Sequence, residues 1–217
     1  MVTTLVDREE IREAVEDALE RDEGRNFTQS VDLAINLRDV DLANPEERVD
    51  KEILLPEGRG KDVNVGLFCT EEMATKAGDV ADEVVLPEEI EDLGDDDNEA
   101  KALAREMDFF LAEAPLMPDI GRTLGPVLGP RGKMPNPVQP GTDPSETIDN
   151  LRRTVRARSR DRRTFHLAAG TENHNPDELA TNIRRLLREI TMDLERHEHN
   201  LDAVYVKTTM GPSVQIL

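Results

Sequence analysis

Near its C-terminus the chain reads Val204-Tyr205-Val206-Lys207-Thr208-Thr209-Met210-Gly211-Pro212-Ser213, a β-patterned run that ends in two hydroxyls, a methionine and a glycine. These residue types suit recognition better than bond-making. Thr208 and Thr209 offer hydroxyls to 2′-OH groups and phosphate oxygens, Met210 offers an adaptable apolar face to a base or sugar, and Gly211 allows close backbone approach. Such a group fits the minor groove of RNA. On residue types alone, an ordinary strand end with its turn is the competing reading.

A second stretch, Gly125-Pro126-Val127-Leu128-Gly129-Pro130-Arg131-Gly132-Lys133-Met134-Pro135-Asn136-Pro137, invites comparison with a phosphate-binding loop. That loop needs glycine five residues before Gly132 and Ser or Thr after Lys133, where this chain has Val127 and Met134. The stretch reads instead as a rigid, turn-rich strap with a structural role favoured, and with Arg131 and Lys133 as candidate anion contacts in the lesser reading. His174, His197 and His199 lack the helical spacing of a hydrolase zinc site, so no metal or other cofactor is expected. Cys69 lies in an apolar run and reads as a small buried hydrophobe. Carboxylates are so abundant that no pair of them singles out acid–base catalysis, and no nucleophile–base pair is evident.

That abundance carries its own information: 47 acidic against 27 basic residues give a formal charge of −20 over 217 residues. Phosphate neutralisation by Lys and Arg drives ordinary nucleic-acid binding, so this balance opposes it. The cations, however, are 6 Lys and 21 Arg, and the acids are spread along the chain, which is the pattern of a surface solvated at high salt. Net charge is −9 over residues 1–60, −14 over 61–151 and +3 over 152–217. The last segment holds Arg152, Arg153, Arg156, Arg158, Arg160, Arg162 and Arg163, which read equally as phosphate contacts or as a solvated helix end with its turn. No apolar stretch reaches the roughly 18 residues of a membrane span, so a soluble chain without a membrane partner is expected.

These residues need elements to hold them. Asp7 and Glu10 have capping-box spacing, and Ile11, Val15, Ala18 and Leu19 form one stripe, which predicts a helix over Asp7 to Arg21. Val31 to Leu37 alternates as a half-buried strand, followed by a second strand over Val49 to Leu55. After Pro56 to Gly60 the pattern changes to a continuous apolar run, Val63 to Cys69, of the type buried on both faces of a sheet. Strands at Glu83 to Leu86 and Phe109 to Ala112 alternate with helical stretches at Glu71 to Ala77, Asn98 to Glu106 and Ser145 to Val155. Half-buried patterns then return: strand Thr164 to Ala168, a long helix opened by Pro176 with Leu179, Ile183, Leu186, Leu187, Ile190 and Leu194 on one side, and strand Ala203 to Thr208. The expected plan is a discontinuous α+β outer domain (1–60 and 156–217) interrupted by a Rossmann-like α/β three-layer domain (61–155).

Lys207 to Ser213, together with Gly129, Pro130, Arg131, Gly132, Met134, Pro135, Asn136 and Pro137, resembles the paired signatures of the L-one family of ribosomal proteins. The resemblance continues through Arg25 to Asp32 and Phe165 to Gly170, and that family shares the interrupted two-domain plan. It implies a non-enzymatic constituent of the large ribosomal subunit, bound to the stalk region of its rRNA through the outer domain. Phe27, Ser30 and Asp32 would lie beside Thr208, Thr209, Met210 and Gly211, with Arg25, His166 and Gly170 joining the RNA-binding set. Many bacterial members have Lys where this chain has Asn26 and Thr171, and Ser where it has Ala203, so Arg25 would supply the missing charge. The resemblance further implies contact with exit-site tRNA during its release and with other ribosomal components, and repression of the chain's own mRNA. The expected form is cytoplasmic and ribosome-bound, monomeric outside the ribosome and adapted to high salt.

Overall fold

Asp7 opens the first helix by accepting from its leading amides while Glu10 reaches back to the Asp7 backbone at 3.2 Å, a reciprocal cap worth about 1 kcal/mol. In the computed structural model, which describes residues 6–22 and 24–217, this helix is α1 (Arg8–Glu20), followed by β1 (Ser30–Leu37), β2 (Asp50–Leu54) and β3 (Val65–Phe68). The chain continues through α2 (Glu71–Ala77), β4 (Glu83–Val85), α3 (Pro87–Asp95), α4 (Asp97–Glu106), β5 (Phe109–Glu113), α5 (Met117–Thr123), α6 (Gly125–Arg131) and β6 (Asn136–Val138). Then come α7 (Ser145–Arg152), β7 (Thr154–Arg158), β8 (Thr164–Thr171), α8 (Pro176–Asp193), β9 (Leu201–Thr208) and β10 (Val214–Gln215). The chain divides into two compact units, one holding the residues up to Lys61 with Arg153–Leu217, the other Asp62–Arg152.

In the first unit an antiparallel sheet runs in the order β10-β9-β1-β8. Along β1 the period of two buries Val31, Leu33, Ile35 and Leu37 and leaves Ser30, Asp32, Ala34 and Asn36 on the other face, partly exposed. The buried face packs on Ile11, Val15 and Ala18 of α1 and on Leu179, Ile183, Leu186, Leu187 and Ile190 of α8 in one core. Both helices carry these residues at helical spacing. Asn182 is, with Thr191, one of two buried polar residues of α8: fully buried, it donates to Ala169 O at 2.9 Å and Gly58 O at 3.0 Å and accepts from Glu57 N at 3.0 Å. Its hydrogen bonds fasten the Glu57–Gly58 segment to α8.

In the second unit β4-β3-β5-β6 form a parallel sheet. Phe68, Phe110 and Ala112 face Ile90, Ala100, Ala104, Ile120, Val127 and Leu128 from α3 to α6, and the Phe68 and Phe110 rings lie 5.4 Å apart. On the other side Val65, Leu67 and Leu111 meet Met73 and Ala77 of α2 and Ile148 and Leu151 of α7. Helices therefore cover both faces, giving the three-layer α/β arrangement, with the four-residue β3 buried throughout.

Three expectations require correction. The helical stretch expected to reach Val155 stops at Arg152. Thr154 to Arg158 instead pair with β2, from Leu54↔Thr154 to Asp50↔Arg158, and Val155 and Ala157 enter the first unit's core, so the ladder and burial override the local pattern. The strap is not a loop: it folds as α6, a left-handed Gly132 at φ 70° and the edge strand β6. Pro126 stands in the first turn of α6, where a missing N–H costs nothing, and Gly132 supplies the C-terminal cap. Arg131 donates to Val127 O at 2.7 Å, and Lys133 to Ala104 O at 3.0 Å and Met107 O at 2.6 Å, so both cations serve backbone carbonyls rather than an anion.

The arginine cluster also divides. Arg152 holds Val80 O and Asp82, Arg153 donates to Pro56 O, and Arg156 and Arg158 both pair with Asp50. Arg160, Arg162 and Arg163 are exposed on the β7–β8 turn, where Arg160 has φ 54°.

Leu55 N donates to Arg153 O at 3.0 Å, so the two chain crossings of the first unit are neighbours. Joining Gly60 to Arg153 through a short Gly-Ser linker is expected to give a folded protein with a single cooperative thermal transition by circular dichroism. A version resuming at Arg158 deletes most of β7 and should melt several degrees lower or not fold, because Ile53 and Leu55 lose their cover. Equal melting of the two versions would contradict the role given to β7.

Candidate nucleic-acid interface

Two ladders bring distant segments together at one end of the first unit's sheet. β1 pairs with β9 through Val31↔Thr208, Asp32↔Lys207 and Ala34↔Tyr205, and with β8 through Ala34↔His166, Asp32↔Ala168, Val31↔Gly170 and Ser30↔Thr171, with a bulge between Val31 and Asp32. Ser30, Asp32 and His166 therefore share the face not covered by helices. Thr209 then locks the strand ends: its Oγ1 accepts from Ser30 N at 3.1 Å and stands 3.4 Å from Ser30 O.

The turn after β9 is fixed from beneath. Met210 N donates to Gln29 Oε1 at 2.9 Å, and Gly211 N donates to Thr208 Oγ1 at 3.0 Å. The Thr208 hydroxyl hydrogen-bonds Asp22, and that bond, with others from Gln29 and Gly24 N, holds the Asp22 carboxyl below its ordinary range. The Gln29 side chain donates to both Asp22 and Glu172, and Gln29 N donates to Glu172 Oε1 at 3.0 Å. Lys207 Nζ donates to Thr209 O at 3.2 Å. The amides of Gln29, Ser30, Met210 and Gly211 are thus all satisfied inside the protein, which leaves none of the four to cradle a phosphate.

On this frame the apolar groups face outward: Phe27 is 51% exposed and Met210 61%. Arg25 is exposed two residues before Phe27, close enough to Asp22 to help keep it ionised.

Other expected positions serve the fold. Gly170 is buried, and a Cβ there would lie 2.8 Å from Leu179 Cδ2 and 3.1 Å from His174 Nδ1, so its glycine makes room for protein atoms. Gly211 is also constrained internally, since a Cβ would collide with Thr208 Oγ1. Gly129, Pro130, Arg131, Gly132, Met134, Pro135, Asn136 and Pro137 lie in the second unit, where Asn136 and Pro137 continue the sheet beside Leu111 and Ala112. The residues that sequence reasoning missed are Gln29, Asp22 and Glu172. Gln29 and Met210 are 181 positions apart, so no local spacing marks the contact.

Asp32 stands out electrostatically. Burial pushes its carboxyl above the ordinary 3.8, opposed only in part by Lys207 and His166. The ionised carboxyl is thus held on this face of the sheet at a cost to stability, with Lys207 opposite it in the β1–β9 register.

The fold defines the class: a two-unit protein in which a parallel α/β unit is inserted into an antiparallel α+β unit that presents hydroxyl and apolar side chains at one end of its sheet. The Ribosomal protein L1p/L10e family matches residues 18–212. Among curated relatives, the Large ribosomal subunit protein uL1 of Haloferax volcanii is 54% identical over 216 residues, spanning 100% of this chain and 99% of its own length. That of Natronomonas pharaonis is 54% identical (95% and 97%), and that of Thermoplasma acidophilum 46% (95% and 95%). The chain belongs to the ribosomal protein L1p/L10e family, whose members are structural and non-enzymatic.

The Asp32 shift gives a signed prediction. With a folded pKa above the unfolded value, the ionised carboxyl destabilises the fold at neutral pH, and the penalty disappears once both states are protonated. Asp32→Asn should raise the melting temperature at pH 7, with the gain vanishing as pH falls below 3.8. A lower melting temperature at pH 7 would contradict the assignment.

Proposed function

We propose that this chain is a constituent of the large ribosomal subunit that binds the stalk region of its rRNA through the first unit, at the junction of β1 and β9. The observation that carries the reading is the joint presentation of Phe27, Ser30, Thr209 and Met210 on a frame whose amides are already occupied. Such a surface suits ribose hydroxyls and base faces more than phosphates. Family membership and relatives named as large-subunit proteins support the ribosomal setting. In this reading Ser30, Asp32, His166, Thr209 and Met210 form the RNA surface with Phe27 and Arg25; Thr208, expected from its type as a contact, is 0% exposed with its hydroxyl held by Asp22 and Gly211 N, so it braces the turn together with Gly211, and Gly170 shapes the sheet beneath. The chain is ribosome-bound in the cytoplasm, among other ribosomal components, and monomeric outside the ribosome. It assists release of tRNA from the exit site and represses its own mRNA by binding a stalk-like structure there.

The charge of −20 is compatible with this partner where salt is molar. There the Debye length falls to about 3 Å, long-range repulsion is screened, and hydrogen bonds and packing decide affinity. Relatives from salt-loving archaea such as Haloferax volcanii accord with that setting.

A gel shift with a stalk rRNA fragment in molar KCl should give a specific complex whose affinity falls only shallowly with further salt, with a slope near that of one to three phosphates. Replacing Arg160, Arg162 and Arg163 by Gln should leave the slope nearly unchanged. A steep slope that those replacements abolish would move the site to the β7–β8 turn. A DNA version of the fragment should bind at least about tenfold more weakly, since it lacks the 2′-OH groups.

A further inference from the structure

The RNA-facing turn is held by a side chain that is itself out of reach of any ligand. Gln29 is 0% exposed, so it presents no surface to RNA. Its amide is nevertheless fully committed: Oε1 accepts from Met210 N at 2.9 Å, and Nε2 donates to Asp22 and, at 3.3 Å, to Glu172 Oε2. Its backbone is bound to Glu172 in both directions, N to Oε1 at 3.0 Å and O from Glu172 N at 3.0 Å. Asp22 in turn takes the hydroxyl of Thr208, whose Oγ1 receives Gly211 N.

Two relays of hydrogen bonds thus begin on carboxylates and end on consecutive amides of the same turn. One runs from Asp22 and Glu172 through Gln29 to Met210, the other from Asp22 through Thr208 to Gly211. We propose that Gln29 is a positioning residue for RNA binding, acting through the Met210 amide to hold the Met210 side chain in its presented place. The proposal rests on the RNA-binding reading of this surface. Its physical basis is preorganisation: a turn already ordered by buried hydrogen bonds does not have to be ordered at the moment of binding. Removing the amide while keeping its bulk leaves the Met210 N–H without its partner and takes one donor from each of Asp22 and Glu172, a loss that falls on the turn rather than on the distant core.

The test is a double-mutant cycle on the full chain, with the stalk rRNA fragment in molar KCl as the probe. Gln29→Leu is expected to weaken binding about tenfold or more. Combined with Met210→Ala, it should bind no more than about twofold worse than Met210→Ala alone, because both changes remove the same presented side chain. Methionine-methyl NMR of the free protein supplies a readout that binding does not enter. The Met210 resonance should move in Gln29→Leu, while those of Met73 and Met107, buried in the second unit, stay in place. If circular dichroism shows Gln29→Leu to be unfolded, Glu172→Ala, which removes one anchor of the Gln29 amide, should move the Met210 resonance and weaken binding about threefold. Additive losses in the cycle, or an unmoved Met210 resonance with unchanged affinity, would overturn the proposal. A wild-type chain that does not bind the fragment overturns the RNA reading and this role with it.

Discussion

The antiparallel ladder between β1 and β9 is the interaction on which the rest depends, because it joins residues almost a chain length apart: Ser30 and Thr209 touch across a separation of 179 positions. Closing so long a loop costs conformational entropy, though only slowly more as the loop lengthens, and the cost is offset by burial on the covered side. Val31, Leu33 and Ile35 of β1 and Val204 and Val206 of β9 share one core with α1 and α8. The period of two then dictates the rest. Whatever register buries those residues must turn Ser30, Asp32 and Lys207 to the opposite face, and a slip by one residue would exchange the faces.

The same constraint shapes the charge distribution. In a chain with 47 acids, a free cation placed near the interface would find a carboxylate partner. Lys207 faces Asp32 in the β1–β9 register and donates to Thr209 O, and Arg156 and Arg158 share Asp50. The exposed pairs add little to stability in molar salt, and the proposed recognition surface relies chiefly on hydroxyl and apolar groups over short distances. Asp22 and Glu172 have a different part: they brace Gln29, and through it the turn.

Much of the fold was legible because period and punctuation are local. The alternation of Val31 to Leu37, the Asp7–Glu10 cap and the apolar stripe of α8 each mark their element within a dozen residues, and the change to a continuous apolar run at Val63 marks the inserted unit. β7 was not legible, since Thr154 to Arg158 become a strand only when Asp50 to Leu54 lie beside them. Nor was α6, whose glycines and prolines suggest a loop until Pro126 is seen in its first turn and Gly132 at its cap. The exposed members of the proposed interface were named from residue type and resemblance. Gln29 could not, because nothing in an amide between Thr28 and Ser30 says that it reaches Met210. Gly170 and Gly211 were legible as special positions, but much of the reason lies in protein packing.

Hydrogen–deuterium exchange by mass spectrometry, with and without the stalk rRNA fragment in molar KCl, tests most directly whether the β1–β9 junction is the recognition surface. The account predicts RNA-dependent protection in peptides covering residues 26–34 and 204–213, and none in peptides within 62–152. Protection confined to residues 125–138, with exchange at the junction unchanged, would contradict it.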